Sequence, residues 1–104
     1  KKAYEGFDPS LPGILLSHNP DALPALLETP SDMILSGHTH GGQVNLPWFR
    51  ERFTLMEHPH YFTGLLKEKG KTIYISRGLG SVMPFRFFAP PEVVMINCLP
   101  KGIE

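Results

Sequence analysis

Two short apolar runs, each leading into serine and then histidine, set the folding options of this chain. They are Gly13-Ile14-Leu15-Leu16-Ser17-His18 and Asp32-Met33-Ile34-Leu35-Ser36-Gly37-His38. Each apolar stretch has strand length and reads as a buried strand. Between them, Asn19-Pro20-Asp21 carries helix-start signals: a side-chain cap, a proline at the first helical position and an acid in the first turn. Ala22 to Glu28 then reads as a short helix with Leu23, Leu26 and Leu27 on one side, and Thr29-Pro30-Ser31 ends it. Strand, helix and strand at this spacing form a βαβ unit, whose two strands run parallel. Parallel strands end at one sheet edge, where open α/β sheets bind their ligands.

The second run continues as Gly37-His38-Thr39-His40-Gly41-Gly42-Gln43. The glycines let the backbone turn tightly and approach a ligand. Neutral imidazole is the commonest protein metal ligand. A His-x-His pair alone is equally compatible with a plain surface loop. The second unit tips the balance, because it adds His18 at a neighbouring strand end. His18, His38 and His40 are therefore expected to converge at one edge of a sheet.

These blocks resemble the last two metal-binding blocks of the calcineurin-like metallophosphoesterases. Leu16-Ser17-His18-Asn19-Pro20-Asp21 is similar to the penultimate block, and Gly37-His38-Thr39-His40 to the last. Tyr74-Ile75-Ser76-Arg77-Gly78-Leu79-Gly80, Pro84-Phe85-Arg86 and Pro90-Pro91-Glu92 resemble the bacterial subgroup of YkuE- and YaeI-type phosphoesterases. The resemblance covers nearly everything after about residue 10. It implies residues 1–104 as the C-terminal portion of one α/β domain: half of an αββα sandwich, with a βαβ unit followed by mostly antiparallel strands. It implies hydrolysis of a phosphodiester, pyrophosphate or phosphomonoester by a metal-bound hydroxide. Two divalent ions, Mn, Zn or Fe, would serve the full enzyme. His18 and His38 would bind one ion and His40 the other.

The family's earlier blocks, Asp-x-His, Gly-Asp-x-x-Asp and Gly-Asn-His-Asp/Glu, do not occur in the sequence. Asp8, Asp21 and Asp32 stand in none of them. The chain is thus expected to be inactive alone and to pack against an N-terminal half or a second copy of itself. No residue here is assigned a certain catalytic role. The competing reading is a catalytically dead or single-metal-binding module that keeps the fold. The resemblance points to a bacterial protein, cytoplasmic or membrane-associated, with a lipid-linked substrate or a membrane surface among its candidate partners.

Arg77 and Arg86, beside glycine and proline loops, are candidate phosphate ligands, since arginine binds phosphate through paired hydrogen bonds. Packing or surface roles weigh equally for both. His58-Pro59-His60 lacks a strand–glycine frame and is expected to bind nothing. Gln43 and Asn45 are candidate pocket-rim residues within a loop or lid that runs to Phe53. Trp48, Phe49, Phe85, Phe87 and Phe88 are expected in the core, or, if exposed together, as an apolar patch.

Ten basic residues balance ten acidic ones, so no basic footprint for nucleic acid exists. A single cysteine, Cys98, excludes an internal disulfide and is expected as a buried thiol. No run is long and apolar enough for a membrane span. The eleven prolines and ten glycines are spread along the chain as loop punctuation. Tyr61–Lys67 and Thr72–Ser76 are expected to pair as a hairpin whose glycine-containing turn lies within Lys67-Glu68-Lys69-Gly70-Lys71, and Glu92–Leu99 to form a last strand.

Overall fold

In the computed structural model, residues 2–42, 57–58, 60–81 and 84–100 are described. The loop from Gln43 to Phe53, with Asn45, Trp48 and Phe49, falls outside them, as does Pro59.

Strand β1 is Ile14–Ser17 and β2 is Met33–Ser36. They pair in parallel, with Leu15 beside Ile34 and Ser17 beside Ser36. Asp32 fixes the entry to both. Its Oδ2 accepts from the Gly13 amide at 2.8 Å, and its own amide donates to the Gly13 carbonyl at 2.9 Å.

Between them, Asn19 caps as its sequence indicates, its Oδ1 accepting from the Asp21 amide at 2.9 Å. The helix is shorter than Ala22–Glu28. A 3₁₀ turn over Pro20–Ala22 leads into α1, Leu23–Leu26. The Thr29 hydroxyl donates to the Leu26 carbonyl at 2.6 Å, closing the helix end before Pro30 can disrupt it.

Strand β3, Gly64–Glu68, and β4, Lys71–Ile75, form the expected hairpin. Its turn is Lys69-Gly70, with φ of 49° and 75°. Positive φ at both central residues is the turn that matches strand twist. Strand β4 then lies parallel to β2, giving a four-stranded sheet of order β1-β2-β4-β3. The hairpin is its antiparallel junction; the other two junctions are parallel.

Side chains alternate across the sheet. On one face Ile34, Ile73 and Ile75 pack with Leu23, Leu27 and Tyr61 into the core, flanked by Leu15, Leu26 and Leu66. The other face carries Ile14, Leu16, Met33, Leu35, Tyr74 and Leu65 in register. It is largely uncovered: Leu16 is 75% and Leu65 61% exposed.

The last strand and the buried cysteine fail as expectations, and the aromatic residues take the exposed one of their two expected places. Glu92–Leu99 is extended but pairs with no strand among the described residues. An apolar, β-branched sequence cannot make a strand without a partner for its N–H and C=O groups. Cys98 lies in that segment and is exposed, because no layer covers it. Phe85, Phe87 and Phe88 are exposed rather than core, at 56%, 50% and 64%. Among the described residues, no helix is long and apolar enough to cross a membrane.

Candidate metal centre at the carboxyl edge of the sheet

Because β1, β2 and β4 are parallel, their carboxyl ends share one edge. His18 follows β1 directly, His38 and His40 follow β2, and Arg77 follows β4. The ends are tied together. The Ser36 hydroxyl and the Gly37 amide both donate to the His18 carbonyl, at 3.3 Å and 3.4 Å, and the Ser76 amide donates to the Ser36 carbonyl at 2.8 Å.

The histidines fall into two groups. The rings of His18 and His38 lie 4.4 Å apart between centroids. His40 has its own partner, its Nδ1 lying 3.0 Å from the Gly80 carbonyl. Among the described residues, no group of three or more His, Cys, Asp or Glu side chains could hold a metal ion. Convergence therefore holds at the level of the edge and resolves into a pair plus a single ring.

The backbone in this turn is unusual. His38 and His40 have φ of 69° and 51°, in the left-handed region that side chains rarely adopt. Such residues persist where the surroundings over-determine them and cluster at functional sites. Thr39 is the principal restraint: its hydroxyl donates to the Phe62 carbonyl at 2.9 Å, and its carbonyl accepts from the Gly42 amide at 2.7 Å. Glycine is required behind the histidines. A Cβ on Gly41 would stand 2.7 Å from Arg77 Cγ, and one on Gly42 would stand 2.4 Å from Phe62 Cζ.

Both arginines are engaged within the fold. Arg77 Nη2 pairs with Glu92 Oε2 at 2.6 Å, and its amide donates to Glu92 Oε1 at 2.8 Å. Tyr74 adds a hydroxyl donor at 3.3 Å. Burial alone would raise the Glu92 carboxyl. The hydrogen bonds and charge of Arg77, with the Tyr74 hydroxyl, outweigh it and hold the carboxyl below its ordinary range. Tyr74 is pushed up, first by burial and then by the Glu92 charge. Arg86 threads between loops, donating to the carbonyls of Arg77 at 2.9 Å, Ala89 at 3.0 Å and His40 at 3.4 Å, and to that of Gly80.

His58 and His60 form no part of this edge cluster. His60 packs on Tyr61 with centroids 3.9 Å apart, and the His58 amide donates to Asp21 Oδ1. The other aspartates are likewise engaged: Asp8 with Ser10, and Asp32 with Gly13. Sequence reasoning missed Thr39 and Glu92. A lone carboxylate leading the apolar run Val93-Val94-Met95-Ile96 was the available signal for a paired acid.

No family model matches the chain, and no solved structure matches it significantly. Curated proteins do match. The UDP-2,3-diacylglucosamine pyrophosphatase LpxG of Chlamydia muridarum is 41% identical over 107 residues, covering 95% of this chain and 32% of that protein. Phosphodiesterase YaeI of Escherichia coli is 40% identical over 88 residues, covering 85% of the chain and 33% of its own length. Metallophosphoesterase YkuE of Bacillus subtilis is 40% identical over 85 residues, covering 81% and 30%.

The chain belongs to the metallophosphoesterases. It spans about a third of the length of these curated relatives. Metallophosphoesterase chemistry implies divalent metal ions, and the donors at this edge suit it. Imidazole nitrogens bind Zn, Fe and their neighbours. If Nδ1 carries the ring proton toward the Gly80 carbonyl, His40 would have its Nε2 lone pair for a ligand.

Proposed function

We propose that the protein containing this chain is a metal-dependent phosphohydrolase acting on a phosphodiester or pyrophosphate. In this reading His18 and His38 hold one divalent ion and His40 a second, with Mn, Zn or Fe as the candidates. The carrying observation is the placing of the imidazoles: His18 and His38 at adjoining strand ends with ring centroids 4.4 Å apart, and His40, four residues beyond the second strand, with its Nδ1 3.0 Å from the Gly80 carbonyl. Divalent ions held there would supply charge neutralisation at phosphorus and activation of a water. The chain's residues bind and orient: Thr39 fixes the histidine turn, and Glu92 holds Arg77 at the same edge. Among the described residues the buried Arg77 Nε has no hydrogen-bond partner, and arginine is a residue type that binds phosphate through paired hydrogen bonds. Carboxylate ligands would come from the remainder of the protein.

The relatives and one surface feature support a substrate class. LpxG is named for a pyrophosphate linked to a diacylated sugar. Phe85, Phe87 and Phe88, which flank Arg86 in sequence, are exposed, and the rings of Phe87 and Phe88 lie 4.6 Å apart between centroids. Together they support a lipid-bearing phosphoester and contact with a membrane surface. The competing reading is a catalytically dead or single-metal-binding module that keeps the fold, with the adjacent His18 and His38 rings as the place for a single ion.

The test is hydrolysis of a chromogenic phosphodiester by the whole protein with Mn²⁺. Activity should vanish with chelator. It should fall by orders of magnitude in His38→Ala and His40→Ala, and little in His58→Ala. Equal losses in all three variants, or turnover indifferent to chelator, would contradict the assignment.

A further inference from the structure

Arg86 lies far from the histidine motif in sequence, yet its guanidinium gathers the carbonyls around one of those histidines. Nη1 donates to Ala89 at 3.0 Å and His40 at 3.4 Å; Nη2 donates to Arg77 at 2.9 Å and to Gly80. Gly80 is the residue whose carbonyl meets His40 Nδ1 at 3.0 Å. Arg86 and the imidazole therefore converge on one oxygen, and Arg86 Nη2 lies 3.4 Å from Nδ1 itself.

This geometry selects a tautomer. A carbonyl oxygen only accepts, so its close approach to Nδ1 requires a proton there. A guanidinium only donates, so it cannot serve as the acceptor for that proton. The proton on Nδ1 goes to Gly80, and the neutral ring keeps its lone pair on Nε2. A lysine could not reproduce the arrangement, because one ammonium cannot span carbonyls arriving from three loop segments.

We propose that Arg86 is a positioning residue for the metal site: it pins the Gly80 carbonyl and the His40 turn so that His40 presents Nε2 to a divalent ion. The assignment depends on His40 being a ligand, as proposed above. Partners that orient a ligating histidine typically contribute 10–100-fold in metal affinity.

The experiment uses the whole protein, titrated calorimetrically with Mn²⁺ alone, with ¹⁵N NMR of the imidazoles in the metal-free state. In the unmutated protein, His40 should carry its proton on Nδ1. Arg86→Lys and Arg86→Met should weaken one class of Mn²⁺ site about 10–100-fold and leave the other unchanged. They should also shift His40 toward a tautomer mixture. A His40 proton on Nε2 in the unmutated protein would overturn the proposal even if the variants fail to fold. Wild-type affinity in folded Arg86 variants, with His40→Ala weakened, would overturn it alone. Unchanged affinity in His40→Ala would overturn the metal assignment beneath it as well.

Discussion

Gly42 combines a left-handed φ of 72° with an aromatic ring where a Cβ would sit. Gly37, at the front of the same motif, has nothing within 4 Å of that position. Gly42→Ala should therefore destabilise the protein by more than about 1 kcal/mol, the cost of the backbone conformation alone, while Gly37→Ala should do far less. Urea midpoints of the two variants check this, and equal shifts would contradict it. Glu92 makes a second prediction. Its carboxyl lies below the ordinary value in the folded chain, so it binds its proton more readily when unfolded. The stability it contributes is complete above the unfolded carboxylate pKa of about 4.3 and is lost as pH falls through that value and the lower folded one. Glu92→Gln should flatten this part of the acid side of the stability profile; an unchanged slope would contradict the assignment. The histidines were legible in the sequence because strand ends and glycines frame them locally. The partners of Arg86 and Glu92 were not, since they depend on where loops distant in sequence meet.

The βαβ unit and the hairpin were readable for the same local reason. Asn19-Pro20 starts a helix and Lys69-Gly70 closes a hairpin whatever the rest of the chain does. The last strand was readable in composition but not in outcome, because a strand is a pairwise object. In the structure Glu92 is held by Arg77 and Tyr74, while the segment behind it exposes Val93 at 82% and Met95 at 87%. Amide hydrogen exchange separates the two states. In the isolated chain, residues 93–98 should exchange nearly unprotected while β2 and β4 are slow. In the whole protein the same amides should become protected by a partner strand. Fast exchange there too would show that the segment is not a strand in either setting.

Across the molecule, one sheet face is packed by α1 and Tyr61 while the other presents Ile14, Leu16 and Leu65 to solvent. Apolar burial is worth roughly 25 cal/mol per Å², so covering several hundred square ångströms is worth on the order of 10 kcal/mol, comparable to a domain's whole stability. The chain spans about a third of the length of its relatives, and we propose that the rest of such a protein covers this face. The isolated chain should therefore self-associate in light scattering, and Leu16→Asp should reduce that association while destabilising the whole protein strongly. A monodisperse, cooperatively folding monomer would contradict this. The most direct test of the metal edge is the stoichiometry of bound divalent ion in the whole protein. Two ions per chain are expected, with His18→Ala and His38→Ala losing the same one and His40→Ala the other; four proteins with identical stoichiometry and affinity would contradict the assignment.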